Sequence, residues 1–299
     1  MLSMKIAIAS GKGGTGKTLI ATSLFHALQS SGYNTTLVDC DAEEPNDMLF
    51  INGQQSGSVN VIKSVPEFNI ETCNFCGKCR EYCNHNAILL IPNAGIIRVS
   101  DELCHDCGAC MVACDQNAIK TREVIEGVVT TYTVNHNNIC ERNSSNRVIE
   151  AKINPGTYSP VSVIKTALNG LPNHGISILD SPPGTSCPFI HTVLAADHVI
   201  LVTEPTPFGL IDLIQSVDTL RNLGKNFSVI INKAGIGNDE IYHYLKRERI
   251  KILLEIPFSK SIALAYSNGQ VITAELPELQ SNLIEIANYL IDTYGNSYN

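Results

Sequence analysis

Lys5-Ile6-Ala7-Ile8-Ala9-Ser10-Gly11-Lys12-Gly13-Gly14-Thr15-Gly16-Lys17-Thr18 is an apolar run of strand length that breaks into a glycine loop. A helical pattern follows from Lys17 to about Ser30. Gly11 to Thr18 satisfies G-x-x-x-x-G-K-S/T in full. Glycines let backbone N–H groups turn inward around phosphate oxygens. Lys17 brings a positive charge to the β- and γ-phosphates, and Thr18 a hydroxyl to Mg²⁺. The helix starting at Lys17 points its positive end at the same anion. Gly11, Gly13, Gly14, Thr15, Gly16, Lys17 and Thr18 are therefore candidate nucleotide ligands, with Mg·ATP as the candidate ligand.

Outward from this loop, Gly32 stops the helix and Thr35–Val38 reads as the next strand, a β–loop–α–β unit. The same rhythm returns later. Ile176–Leu179, His198–Thr203, Phe227–Ile231 and Ile250–Leu254 read as strands, and Pro188–Ala196 and Phe208–Leu223 as helices. Short continuous apolar runs of this kind suit parallel strands buried on both faces. The fold expected is α/β, a doubly wound and mostly parallel sheet, interrupted by a small α+β module. The pattern fades near Asn52–Gly57, Val124–Val134 and Arg147–Ile153 are β-rich, and Asn135–Asn146 reads as a loop. The expected division is 1–65 and 122–299 for the phosphate-loop domain and 66–121 for the insert.

Eleven cysteines occur, eight of them between Cys73 and Cys114. Cys73, Cys76, Cys79 and Cys83 have the spacing C-x₂-C-x₂-C-x₃-C, and Cys104, Cys107, Cys110 and Cys114 repeat it. This is the bacterial ferredoxin spacing for 4Fe–4S clusters, in which the fourth cysteine serves the other cluster. Two clusters are expected, on Cys73, Cys76, Cys79 and Cys114 and on Cys104, Cys107, Cys110 and Cys83. Zinc is the alternative for paired C-x₂-C groups, and the tight duplicated quartets count against it. The usual proline after the fourth cysteine is replaced by Asn84 and Asp115, and a carboxylate beside a cluster favours its oxidised state. Of the remaining three, Cys40 is expected to point into the sheet, and Cys187 to pack in the loop after Asp180. Cys140, in the polar loop, has no assigned role.

The doubled lysine of Gly11-Lys12-Gly13-Gly14-Thr15-Gly16-Lys17-Thr18 resembles the deviant phosphate loop of the MinD/ParA/Mrp family, which includes the nitrogenase iron protein. With the cysteine motifs, the chain is similar over nearly its whole length to MinD-superfamily ATPases carrying an inserted ferredoxin domain. The resemblance implies that Lys12 crosses a dimer interface to the partner's nucleotide, acting with Lys17 and Asp41 in ATP hydrolysis. Leu37-Val38-Asp39-Cys40-Asp41 looks like switch I, with Asp41 serving the attacking water or the Mg²⁺ shell. Ile178-Leu179-Asp180-Ser181-Pro182-Pro183-Gly184 resembles the Walker B and switch II segment. Asp180 then holds Mg²⁺ through water, and Gly184 senses the γ-phosphate. Asn232 and Pro257 match the family's adenine contacts. Gly235 stands where a guanine-reading N-K-x-D motif needs aspartate, so GTP is disfavoured.

The net charge of −8 and pI of 5.5 disfavour a broad nucleic-acid surface. No apolar run reaches about 18 residues, as a spanning helix would need. Lys5–Ala9 is too short for a secretory signal, and a cytoplasmic location is expected. The tail after Lys260 lacks Lys and Arg, which disfavours membrane attachment, and its apolar Leu283, Ile284, Ile286, Ala287, Leu290 and Ile291 are expected to pack on the sheet. The leading expectation is an ATP-gated electron carrier with a second ATPase subunit, identical or paralogous, and a redox or acceptor protein as partners. The alternatives are an iron–sulfur assembly or carrier ATPase, for which Cys187 lacks the second cysteine of an Mrp-type C-x-x-C, and a MinD/ParA-like positioning ATPase.

Overall fold

A computed structural model of the chain describes residues 2–134 and 146–297. The opening unit comprises β1 (Leu2–Ala9), α1 (Lys17–Ser30) and β2 (Thr35–Asp39). The middle of the chain forms β3 (Gln54–Phe68), α2 (Lys78–Glu81), β4 (Ile88–Ile91), β5 (Ile96–Val99), α3 (Ala109–Val112), β6 (Ile119–Thr133) and β7 (Arg147–Ile153). The α/β alternation then resumes through α4 (Val161–Asn169), β8 (Gly175–Asp180), α5 (Cys187–Ala195), β9 (His198–Thr203), α6 (Pro207–Asn222), β10 (Phe227–Ala234), α7 (Glu240–Arg247) and β11 (Ile252–Pro257). It closes with α8 (Lys260–Ser267), α9 (Ile272–Glu275), α10 (Pro277–Tyr294) and β12 (Asn296–Ser297).

One sheet runs in the order β11-β10-β9-β1-β8-β2-β7-β6-β3, with β12 pairing β1. From β11 to β7 every pairing is parallel; β6, β3 and β12 join antiparallel. Alternate residues of each strand face opposite sides, which makes two cores. Ile6, Ile8, Leu37, Ile176 and Ile178 pack under α1 and α10. Ala7, Val38, Leu179, Val199 and Leu201 pack on the other side, under α4 to α7. As expected, the tail helix turns Leu283, Ile286, Ala287 and Leu290 into the first core. Cys40 is fully buried in the second.

The elements differ from the sequence reading at particular places. The fading stretch Asn52–Gly57 leads straight into β3, whose residues 54–60 are all exposed. A strand end open on both faces carries no apolar alternation to read. Helices α4, α7 and α8 are additional to the expected elements. The loop expected from Asn135, with Cys140, lies outside the described residues up to Ser145.

β3 and β6 form one long ladder that runs across both expected boundaries of the insert, with Pro66 opposite Thr121. Beyond its end lie α2, α3 and the two-stranded β4–β5 sheet, around a separate small core of Cys79, Ile88, Leu90, Ile97 and Cys110.

Candidate functional site

The loop from Ser10 to Gly16 sits at the carboxyl end of β1, beside the ends of β2 and β8, where open α/β sheets bind ligands. Gly16 caps α1 in the left-handed region (φ 100°), and a Cβ there would collide with the Asn232 amide. Only glycine meets both demands. Lys17 is buried, and burial lowers its ammonium against the pull of the Asp180 and Asp41 carboxylates. Thr18 Oγ1 donates to Asp180 Oδ2 at 2.7 Å, joining residues 162 positions apart. Asp180 is 1% exposed and its Oδ1 has no hydrogen-bond partner among the described residues. A hydroxyl, a carboxylate and an orphaned acceptor oxygen beside a phosphate loop fit a hydrated Mg²⁺.

Three carboxyls crowd the strand ends. Asp39 accepts the N–H groups of Asp41 (3.0 Å), Asn46 (2.8 Å) and Asp47 (3.0 Å), so it shapes the turn after β2 from within. Asp47 is fully buried, and neither of its oxygens meets a donor at hydrogen-bond geometry. Burial and the charges of Asp39 and Asp180 push it well above the usual carboxylate range. Burial, then Asp180, does the same to Asp39. Asp180 is pushed up by burial to about 6, against the Thr18 hydrogen bond and the Lys17 charge. Asp41 is half-buried; burial raises it while Lys17 opposes. Gly184 donates its N–H to the Ser10 carbonyl at 3.1 Å, which ties the segment after β8 to the start of the glycine loop.

Several contacts here carry no sequence signature. Lys12 reaches Glu204 at 2.6 Å and Lys233 reaches the same carboxylate at 2.9 Å. Burial alone raises Glu204, but the two lysines together hold it below its ordinary value. Lys12 thus rests on its own chain. Asn232 and Pro257 both line one cavity with Gly14, Gly16, Phe258 and Tyr266. Asn232 also donates to the Thr15 carbonyl at 2.8 Å, bracing the loop from below. Tyr266 stacks on Phe50 with ring centroids 4.7 Å apart, so α8 meets the segment after Asp47. Asp47, Glu204 and Tyr266 have no signature in the sequence, because each acquires its meaning from a partner far away along the chain.

The eight motif cysteines divide between two cavities. One is lined by Cys73, Cys76, Cys79 and Cys114, the other by Cys83, Cys104, Cys107 and Cys110. In each quartet the fourth member comes from the opposite motif. The Sγ atoms of Cys73, Cys83 and Cys114 accept backbone N–H groups of Phe75, Ala87 and Ala118 at 3.3–3.4 Å. Left-handed backbone at Phe75, Gly77 and Asn86 recurs at Asp106, Gly108 and Asn117, so both motifs wrap their cavity alike. Burial raises the Cys79, Cys104 and Cys110 thiols. Among the described residues, no three His, Cys, Asp or Glu side chains converge tightly enough for a single metal ion. Asp115 is paired with Lys78 on the surface, so a cation stands beside that carboxylate. Cys187 is exposed at the first position of α5 and not packed, again unlike the expectation.

The model for the CobQ/CobB/MinD/ParA nucleotide binding domain matches residues 6–272. The chain belongs to this family. Two uncharacterized proteins of Methanocaldococcus jannaschii are similar to it along their length. One is 32% identical, over 94% of this chain and 97% of the relative, and the other 29% identical, over 96% and 98%. Solved structures of CobQ/CobB/MinD/ParA-type ATPases share the fold. The Pyrococcus furiosus cell division ATPase MinD has a TM-score of 0.56 at 18% identity, covering 96% of this chain and 99% of that one. Cyanothece McdA, solved with ATP, has 0.56 at 18%, covering 96% of each. Pyrococcus horikoshii MinD, solved with Mg-ADP, has 0.54 at 17%, again covering 96% of each. Of the three readings of the sequence, these matches support the MinD/ParA-like ATPase best; they do not speak for iron–sulfur electron transfer. No helix among the described residues is long and apolar enough to cross a membrane.

Proposed function

We propose that the chain is a MinD/ParA-like ATPase that binds Mg·ATP at the β1–α1 loop, pairs with a second subunit around it, and hydrolyses it. The observation that carries this reading is the Thr18–Asp180 contact beside the buried Lys17. In this reading Lys17 meets the β- and γ-phosphates, and Thr18 and Asp180 hold the metal site, Asp180 through water. Mg²⁺, when bound, neutralises phosphate charge. Asp41 orients the attacking water. Gly184 reports the γ-phosphate by leaving the Ser10 carbonyl. Lys12 reaches the partner's nucleotide by leaving Glu204. Asn232 and Pro257 flank adenine. The test is nucleotide binding by calorimetry with phosphate release. Lys17→Ala abolishes binding, and Lys12→Ala lowers hydrolysis more than binding. Equal loss of both with Lys12→Ala counts against its action across a dimer, and no binding by the unaltered chain sinks the reading.

A second reading adds iron–sulfur chemistry in residues 66–121 as a ferredoxin-like insert. What supports it is the division of eight cysteines between two cavities, each quartet crossed between motifs. Cys73, Cys76, Cys79 and Cys114 hold one 4Fe–4S cluster in this reading, and Cys83, Cys104, Cys107 and Cys110 the other. Such a cluster, when bound, supplies one-electron transfer; the partner is then a redox or acceptor protein. Anaerobically prepared protein is expected to hold about eight iron and eight sulfide per chain. Stoichiometric zinc without acid-labile sulfide rules the reading out and leaves the ATPase untouched.

A further inference from the structure

Lys63 stands on the inward face of β3, between Val61 and Val65, and is 9% exposed. An ammonium on an apolar strand face requires a counter-charge. Glu126 of β6 supplies it at 2.8 Å, and both side chains are close to a tenth exposed (10% and 12%). Their meeting depends on a fault in the ladder. Val61 lies opposite Gly127 and Ile62 opposite Ile125, so Glu126 is the extra residue of a β-bulge. A bulge re-aims a side chain that strict alternation would turn elsewhere. The residue after it has no room for a side chain, since a Cβ at Gly127 would collide with the Lys152 carbonyl and Val163.

Contacts leave this ion pair in two directions. Lys63 Nζ donates to the Cys104 carbonyl, a long bond of 3.4 Å, and the neighbouring Ser64 N–H donates to Asp106 Oδ2 at 2.9 Å. Both acceptors belong to the loop that lines the Cys83–Cys104–Cys107–Cys110 cavity. On the other side, Glu126 Oε2 accepts the Ser162 hydroxyl at 2.5 Å. The Glu126 carbonyl accepts the Asn154 N–H at 2.8 Å and the Thr157 hydroxyl at 2.7 Å. Ile153, the residue before Asn154, donates its N–H to the Ala42 carbonyl at 3.0 Å. Ala42 directly follows Asp41. A continuous set of bonds therefore runs from switch I, through the end of β7, to Glu126, Lys63 and the Cys104 loop. The ion pair at the other cysteine cavity, Lys78–Asp115, is exposed and joins two residues of the cysteine stretch to each other.

We propose that the buried Lys63–Glu126 pair couples the segment after Asp41 to the Cys104–Cys110 loop, so that nucleotide state alters this cysteine centre and not the Cys73–Cys79 one. The inference rests on the nucleotide reading of the phosphate loop and does not depend on what the cysteines hold. A chain of contacts becomes coupling only where the two nucleotide states differ in how they hold it. Hydrogen–deuterium exchange on the full-length chain measures that difference, with Mg·ADP and with Mg²⁺ and a non-hydrolysable ATP analogue. Calorimetry on the same samples reports nucleotide binding. Amide exchange over residues 104–110 is expected to differ between the two states by about fivefold or more, the lower range of allosteric couplings. Residues 73–79 stay unchanged. Lys63→Met loses the response at 104–110 while still binding nucleotide. That variant leaves Glu126 buried and unpaired; should it not fold, Lys63→Met combined with Glu126→Leu replaces the pair by an apolar one and is expected to show the same loss. A response that survives in the variant that folds, one shared equally by both cysteine loops, or none in the unaltered chain with nucleotide bound overturns the proposal. A chain that binds no nucleotide overturns the ATPase reading, and this proposal with it.

Discussion

Replacing Asp47 by asparagine should stabilise the nucleotide-free protein. Asp47 is fully buried with no donor at hydrogen-bond geometry, and it shares its surroundings with Asp39 and Asp180; burial raises all three, and neighbouring carboxylates raise Asp39 and Asp47 further. An asparagine cannot ionise, and its amide N–H₂ can serve Asp180 as a protonated Asp47 carboxyl would, at no cost in bound protons. Relieving an unsatisfied buried polar group is worth about 1–3 kcal/mol. At about 2.1 cal/mol/K of unfolding entropy per residue, each kcal/mol shifts Tm by roughly 1.5 °C in a chain of this length, so a rise of about 2–5 °C is expected at pH 7.5. The pH dependence has a definite sign. The folded state keeps protons that the unfolded chain, titrating near 3.9, has already lost. The unaltered protein therefore loses stability as pH rises from about 4 through the Asp180 value of about 6. The gap between variant and unaltered protein comes from Asp47, whose carboxyl is raised well above its unfolded value, so it widens as pH rises above about 4, and carboxylates elsewhere cancel in the difference. Thermal unfolding from pH 5 to 8 in chelator, followed by circular dichroism, is the assay. A variant no more stable at pH 7.5, or a gap constant with pH, refutes the account of this acid cluster.

Two further outcomes follow from the loop and its clamp. Asn232→Ala strips the Thr15 carbonyl of its donor, and ATP affinity should fall about tenfold, the equivalent of about 1.4 kcal/mol; calorimetry showing unchanged affinity assigns Asn232 to the fold alone. Glu204→Gln loosens both Lys12 and Lys233, so ATP-dependent dimers should form at lower protein concentration in sedimentation runs, and an unchanged threshold means that Glu204 does not restrain Lys12.

Chemistry written in neighbouring residues was legible without coordinates. Lys17 begins α1 as read, because the phosphate loop and the helix after it are local features. The strand from His198 to Thr203 appears with the expected bounds, since a buried parallel strand is a continuous apolar run. The polar start of β3 was not legible, because a strand end exposed on both faces leaves no pattern in its side chains.

The sequence by itself determined the glycine loop with its two lysines, the acidic strand ends and the duplicated cysteine spacing. These depend on chain geometry over a few residues, which spacing alone dictates. Only the tertiary structure decided what those groups meet. Lys12 rests on Glu204, 192 positions away, and Thr18 on Asp180, 162 positions away. Glu126 faces Lys63 because of a bulge in the ladder, and Asp47 is shut in with two other carboxyls. Such meetings are set by strand order and register. They form when buried polar groups must find partners within whatever the packing brings near, and that choice is made by the whole sheet at once.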